Sequence, residues 1–219
     1  MNQPVRQRLR LVYTRDKAIK YISHMDLART WERALRRADV PLAYSQGFNP
    51  RPKITFAAAL PVGVIGCREV MDIILTRDVM PLNFAKRLTP HLPHGLRVLS
   101  VEKVYLQLPS LQSQICAVEY RVEIEWSEPQ KEMEARVADF LAAKEIIRQR
   151  RGKTYDLRPL VESLSIKEAV PEGFALHMRL RQGQSGTARH DQVLDAIGLA
   201  PAMRSVYRER LFFKDTQEP

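Results

Sequence analysis

The sequence is poor in the features that mark several classes of protein. Only two of its 219 residues are cysteines, Cys67 and Cys116, so they can build neither a disulfide framework nor a metal site made of cysteines alone. Both lie in apolar surroundings, and we expect buried thiols. No run approaches the roughly 18 consecutive apolar residues of a membrane-spanning helix, and no apolar block follows the Arg-rich start, Met1–Arg10. We therefore expect a cytoplasmic protein, neither secreted nor membrane-spanning.

Glycine patterns that bind nucleotides are also missing. The stretch Gly183–Gly186 is too short for a phosphate-binding loop and has no lysine after it, so we predict neither a Walker-type nor a dinucleotide-type site. His91 and His94 flank Pro93 near a helix end, but a metal ion there would need a third ligand from elsewhere. We predict no metal site and no cofactor.

Positive charge is abundant and unevenly distributed. The formal net charge is +10, and residues 1–60 hold 12 Lys and Arg against 4 Asp and Glu. Such a field favours polyanions, and it favours RNA or DNA over an anionic membrane because no basic amphipathic segment carries a large exposed apolar face. The alternative is a basic surface with no specific partner.

Hydrophobic periodicity predicts an α+β fold. Arg8–Thr14 alternates polar and apolar residues like a half-buried strand, and Ser23 stands where the N-cap of an amphipathic helix belongs. Two further strands, a helix opened by Pro81 and a fourth strand follow. The order β-α-β-β-α-β is the ferredoxin-like arrangement, in which two helices pack on one face of an antiparallel sheet and leave the other face open.

The order of elements repeats in the second half of the chain. A polar linker, Leu108–Gln114, separates the two halves, and Arg151–Leu164 has an ambiguous pattern that fits an extra strand or a long loop. We predict two tandem ferredoxin-like domains with antiparallel sheets, at residues 1–107 and 115–219.

The first predicted helix carries four arginines on one stripe, opposite its apolar face. A guanidinium presents a planar set of donors that matches phosphate oxygens, so the stripe is a candidate nucleic-acid contact. The alternative is a solvated helix face, partly neutralised by Glu32. The four residues are Arg29, Arg33, Arg36 and Arg37.

A proline-rich loop follows this helix. In YSQGFNPRPK, at residues 44–53, two aromatic residues and two cations interleave, and Gly47 is free to take a positive φ. Phe48 is a candidate for stacking on a base while Arg51 and Lys53 hold the backbone of a single strand. In the alternative, Phe48 folds inward to anchor the loop and the two cations face water.

A second basic cluster lies around Gly152, which is predicted to turn a hairpin. A protruding basic hairpin can follow a nucleic-acid backbone. The alternative is an exposed turn kept soluble by its charge, with Asp156 and Arg158 pairing locally. The candidate nucleic-acid contacts of this cluster are Arg148, Arg150, Arg151, Lys153 and Arg158.

Four segments together resemble a known family: YISHMDL at 21–27, YSQGFNPRPKI at 44–54, ALPVG at 59–63 and YDLRP at 155–159. They are similar to the bacterial radical-SAM-linked protein family, a domain of unknown function that is encoded beside or fused to a cobalamin-binding-type radical SAM protein. The resemblance covers nearly the whole chain. The residues that match its signature are His24, Asp26, Gly47, Phe48, Asn49, Pro50, Asp156 and Arg158.

This resemblance implies a partner and not a reaction. A radical SAM enzyme needs three closely spaced cysteines for its iron–sulfur cluster, and the two cysteines here are far apart. We therefore expect a separate radical SAM protein as partner, to which this chain presents a substrate or adds a structural subunit. With the clustered charge, the leading hypothesis is a non-catalytic accessory protein that binds RNA.

Two alternatives stay open. One is a protein-interaction subunit that binds no nucleic acid. The other is a metal-independent endoribonuclease that uses His24, whose imidazole suits acid–base work, with Tyr21, Asp26 and Lys53 as candidate neighbours. Tandem ferredoxin-like domains resemble the architecture of CRISPR repeat-processing endoribonucleases, which is an analogy of fold alone. Against catalysis, a histidine just after an N-cap is often only a helix-end residue.

Overall fold

In the computed structural model, which describes residues 6–150, 152–183 and 186–214, the chain has a mixed α+β fold with mostly antiparallel sheet. It divides into two compact units, and the boundary falls between Ile115 and Cys116. Across the described ranges, no helix is both long enough and apolar enough to cross a membrane.

The first unit has the predicted order of elements, followed by a short helix. Its sheet order is β4-β1-β3-β2, and each neighbouring pair is antiparallel. The elements are β1 (Gln7–Arg15), α1 (His24–Arg37), β2 (Ile54–Phe56), β3 (Val64–Leu75), α2 (Pro81–Leu88), β4 (Leu96–Val104) and α3 (Leu111–Gln114).

The core of the first unit joins α1 and α2 to one face of the sheet. Leu27, Trp31 and Leu35 recur at helical spacing and are fully buried. Trp31 meets Tyr13 of β1 edge-on, with ring centroids 4.9 Å apart. Because burying one such large side chain stabilises the fold by about 1.5–3 kcal/mol, this stripe fixes α1 on the sheet.

Strand β1 is buried on both faces, which corrects the prediction of a half-buried strand over an open sheet face. Its arginines do not reach water. Arg8 Nε donates to Asp72 Oδ2 on β3 at 2.7 Å, and Arg10 Nε donates to Asp72 Oδ1 at 2.9 Å. Arg8 also donates to the carbonyls of Leu108 and Pro109, so the segment predicted as a polar linker lies against this face.

The second unit contains a hairpin whose second strand lies in the stretch of ambiguous pattern, residues 151–164. Its main sheet has the order β10-β5-β9-β8, and β6 and β7 pair only with each other in the described chain. Its elements are β5 (Ile115–Glu125), α4 (Gln130–Ala142), β6 (Ile147–Arg150), β7 (Lys153–Asp156), β8 (Val161–Val170), β9 (Gly173–Arg181), α5 (His190–Ala196) and β10 (Met203–Phe213).

The two thiols are more exposed than predicted. Within the described residues, Cys67 and Cys116 form no disulfide, and both are half-buried where the sequence predicted buried side chains. Cys116 Sγ lies 3.5 Å from the carbonyl oxygen of Phe212 on β10. Neither thiol belongs to the apolar core.

We expect Asp72→Asn to lower the free energy of unfolding by about 3–5 kcal/mol, because Arg8 and Arg10 would lose the buried carboxylate that they share. Urea denaturation followed by circular dichroism measures this. Asp78→Asn is the matched control, since Asp78 is exposed and pairs with an exposed Lys103 at 3.0 Å. Equal midpoints for the two variants would contradict the structural role of the buried cluster.

Stability should also fall on mild acidification because of His190, which packs on Tyr120. The pKa of His190 is lowered to about 4, chiefly by burial; Asp191 opposes this shift, and Arg189 and Arg208 contribute to it. The unfolded imidazole titrates near 6.5, so between pH 6.5 and 4 the unfolded chain binds more protons than the folded chain. This group therefore destabilises the fold by up to about 1.4 kcal/mol per pH unit as the pH falls through that window.

Urea midpoints at pH 7, 6 and 5 test this contribution. His190→Phe keeps a ring against Tyr120 and should flatten the pH dependence relative to the unsubstituted protein. His94→Phe, at an exposed position, serves as the matched control and should keep the original dependence. The idea fails if both variants show the same slope.

Candidate nucleic-acid interface

A capped helix start positions the first motif segment. Ser23 Oγ accepts the N–H of Asp26 at 3.1 Å and donates to Asp26 Oδ2 at 2.7 Å. This N-cap fixes the first turn of α1 and puts His24 at its first position. Asp26 also pairs with Arg29 at 3.3 Å. Its carboxylate therefore binds the hydroxyl of the cap residue and takes part in a surface ion pair.

The loop after α1 is closed at its base. The N–H of Ser45 donates to the carbonyl of Arg51 at 2.8 Å, and the N–H of Arg51 donates to Ser45 Oγ at 3.0 Å. At the tip, Gly47 has a φ of 119°, a conformation that other residues rarely adopt. Residues 46–50 are exposed. The backbone thus presents the Gly-Phe-Asn-Pro segment to solvent from a braced base.

Phe48 has a fully exposed side chain. Of the two placements left open by the sequence, the structure shows the one in which the ring faces solvent. A phenylalanine gains about 1.5–3 kcal/mol when it leaves water for an apolar contact, so this ring offers a partner a substantial apolar surface.

Helix α1, the loop and β2 enclose a groove of about 800 Å³, which we call the α1–loop groove. The first two turns of α1 form one wall, residues 49–52 form the other, and β2 contributes its three residues. The imidazole of His24 meets the ring of Phe56 edge-on, with centroids 5.1 Å apart. Gln112 of α3 also lines the groove.

The groove gathers part of the predicted site. Arg29 from the basic helix face and Arg51 from the loop both line it, together with the motif residues His24, Asn49 and Pro50. Two segments that lie more than ten residues apart in sequence therefore contribute to one surface.

The other predicted cations of the first unit lie outside the groove lining. Arg33, Arg36, Arg37 and Lys53 are all exposed. Arg36 lies 3.9 Å from Glu32, an acidic residue that lines the groove. These cations extend the positive surface beyond the groove.

The catalytic neighbours predicted for His24 do not line the groove. Tyr21, Asp26 and Lys53 are all described, and none of them lines it. Tyr21 is exposed, with Lys20 Nζ 5.1 Å from its ring centroid. In the described parts of the chain, no group of three or more His, Cys, Asp or Glu side chains is arranged to hold a metal ion.

The basic hairpin of the second unit turns at Gly152, whose φ is 76°. Lys153 is exposed, whereas Arg148 and Arg150 are half-buried. Arg148 lies 3.9 Å from Asp195. The candidate Arg151 lies outside the described residues.

The two motif residues of the second unit bind backbone groups that flank this hairpin. The guanidinium of Arg158 donates to the carbonyls of Leu141 and Val161. Asp156 Oδ1 accepts the N–H of Ile146 at 2.8 Å and that of Arg158 at 3.0 Å. The guanidinium and the carboxylate are thus bound to backbone groups, which supports a structural role for both.

Sequence analysis did not name as candidates eight of the residues that line the groove: Met25, Ala28, Glu32, Pro52, Ile54, Thr55, Phe56 and Gln112. Met25, Ala28 and Glu32 share the stripe of Arg29 at helical spacing, so the helix pattern would reveal them once the position of the loop is known. Phe56 and Gln112 carry no local signal. They join the site only through the sheet and the segment that follows it.

Comparison with known proteins adds a family. A family model described as "Uncharacterized protein conserved in bacteria (DUF2344)" matches residues 8–190. The chain belongs to the DUF2344 family. Among curated proteins, none matches this DUF2344 chain in sequence.

Solved structures resemble this DUF2344 protein only in fold. A Cbf5-Nop10-Gar1 complex matches with a TM-score of 0.51 and 11% identity over 93% of this chain. An archaeal box H/ACA sRNP Nop10-Cbf5 complex matches with a TM-score of 0.48 and 12% identity over 98% of it. In both cases the chain spans about half of the matched chain, 50%. At this identity the first likeness supports the mixed α+β fold and nothing more.

Removing the helix cap should destabilise the first unit. We expect Ser23→Ala to lower the free energy of unfolding by about 1 kcal/mol, because the Asp26 N–H loses its acceptor. Ser23→Asn should restore most of the loss, since asparagine caps helices as well as serine does. Urea denaturation measures both, with Ser100→Ala at an exposed position of β4 as the control. An unchanged midpoint in Ser23→Ala would rule out the cap as a stabilising contact.

Proposed function

We propose that this protein is a non-catalytic, cytoplasmic accessory protein that binds RNA through the basic surface around the α1–loop groove and works with a radical SAM enzyme. The observation that carries the RNA part is the meeting of two separate basic segments at one groove, next to a fully exposed aromatic ring. Cations for the phosphates and an aromatic ring for a base are the usual parts of a single-strand binding surface.

The charged side chains of this surface are available to a ligand. Arg29 and Asp26 form an ion pair in which both side chains are more than half exposed, 62% and 57%. Exposed pairs of this kind are weak, so a phosphate can displace the carboxylate. The exposed cations of the surface are Arg29, Arg33, Arg36, Arg37, Arg51 and Lys53.

A non-catalytic role fits the surroundings of His24. The contact with Phe56 gives the imidazole a packing role at the groove floor. The radical SAM partner rests on the resemblance of the motif segments alone.

We also propose that the two units are tandem ferredoxin-like domains. In each unit the strands follow the order 4-1-3-2 when they are numbered with the hairpin β6–β7 left out, and two longer helices connect them. The hairpin is then an insertion after α4, and its exposed Lys153 offers a secondary contact to a phosphate backbone.

Binding of the purified protein to bulk cellular RNA at 50 and 200 mM salt tests the proposal. With four phosphate contacts, affinity should fall about 50-fold between these concentrations, because each contact releases counterions from the strand. A variant with Arg33, Arg37, Arg51 and Lys53 replaced by glutamate should bind at least about tenfold more weakly at low salt. Filter binding or fluorescence anisotropy measures both effects.

The control applies the same change of charge elsewhere in the first unit. Arg68, Arg77, Lys86 and Arg97 are exposed, and none lines the groove. Their replacement by glutamate should weaken binding much less. Equal losses in the two folded variants would point to net charge alone, and no salt-sensitive binding by the unsubstituted protein would favour the protein-interaction subunit. RNA cleavage that disappears in His24→Ala would overturn the non-catalytic role.

A further inference from the structure

We propose that the α1–loop groove holds one unpaired nucleotide of the bound RNA, with its base against the apolar walls and its phosphate near Arg29 and Arg51. This inference rests on the proposed RNA binding and narrows it to a single-stranded segment. The size, the walls and the polar rim of the groove each support it.

The groove has the size of a small-ligand site. Its volume of about 800 Å³ lies within the roughly 300–1,000 Å³ of pockets that enclose small molecules. A single nucleotide fits such a space, whereas a base pair inside a helix cannot enter without leaving its stack.

The walls offer apolar surface to both faces of a flat ring. Met25 projects from the first turn of α1 and is largely exposed, and Pro50 faces solvent from the loop. Ala28 lines the same groove with only a methyl group as its side chain. A flexible thioether adapts its shape to different bases. Ile54 and Phe56 of β2 add apolar surface below.

The polar rim matches the rest of a nucleotide. Arg29 and Arg51 both line the groove and supply guanidinium groups for phosphate oxygens. Asn49 and Gln112 carry amide groups that both donate and accept, and Glu32 adds an acceptor for an exocyclic amino group. Such groups read the edge of an unpaired base, which is the common mode of sequence-specific RNA recognition.

Phe48 lies beside the groove and not in its lining. It is therefore placed for the neighbouring base, since successive bases of a single strand stack on separate aromatic side chains. A groove lined by guanidinium and amide groups fits a nucleic acid better than an apolar peptide segment, for which the two guanidinium groups would have no counterpart.

Fluorescence anisotropy with a labelled eight-nucleotide RNA, single-stranded or annealed to its complement, tests the inference. The unsubstituted protein should bind the single strand at least about tenfold more tightly than the duplex. Ala28→Trp fills the groove without a change of charge and should weaken single-strand binding about tenfold while leaving duplex binding unchanged. Ala138→Trp, at an exposed position of α4, is the matched control and should bind like the unsubstituted protein.

Ala28 is partly buried against the core, so a second variant guards against misfolding. Asn49→Ala combined with Gln112→Ala changes two exposed amides only, and it should reduce the differences in affinity among oligo(A), oligo(C), oligo(G) and oligo(U). Equal affinity for the single strand and the duplex, or a folded pair of groove variants that bind like the unsubstituted protein, would overturn the nucleotide site and leave RNA binding intact. Absence of binding to every RNA would instead overturn the proposed function.

Discussion

The buried carboxylate of Asp72 is the contact on which the first unit depends. Two arginines of β1 pair with it. All three side chains are nearly inaccessible to solvent, so the charges are balanced by each other and not by water. Arg8 then uses its remaining donors on the carbonyls of Leu108 and Pro109. That connection draws the chain after β4 onto the sheet, where Leu111 is fully buried and the adjacent Gln112 reaches the groove. A charge cluster on one side of the sheet thus helps to assemble a site on another part of the unit.

The elements of the fold were predictable where the signal is local. Ser23 and Trp31 predict a capped amphipathic helix within a dozen residues, and the structure has that helix. Alternation in β1 was misleading, because Arg8 and Arg10 have polar side chains but a buried partner 62 to 64 residues away. The groove was only half predictable for the same reason. Its α1 and loop residues lie in segments with local signals. Gln112 instead reaches the groove through a long-range contact, which its neighbours in sequence do not predict.

The motif residues separate into two groups once their contacts are known. Asp26 binds the capping Ser23 at the start of α1, while Asp156 and Arg158 bind backbone groups around the β6–β7 hairpin, so their chemistry is used within the fold. His24, Asn49 and Pro50 line the groove, and Phe48 stands in solvent beside it. Only the second group is placed to touch a ligand. The motif therefore includes residues that support the surface and residues that form it. The contacts that a motif residue makes within the fold show to which group it belongs.

The loop after α1 has one more consequence. Its base is tied by two hydrogen bonds between Ser45 and Arg51, and Pro50 and Pro52 hold their own φ angles. Most of the conformational freedom of this segment is therefore lost when the chain folds and not when a ligand arrives. The cost falls on the stability of the free protein, and under the proposed function a ligand would meet a loop that is already preorganised. A substitution that makes the loop more flexible would then weaken ligand binding, even if it removed no contact with the ligand.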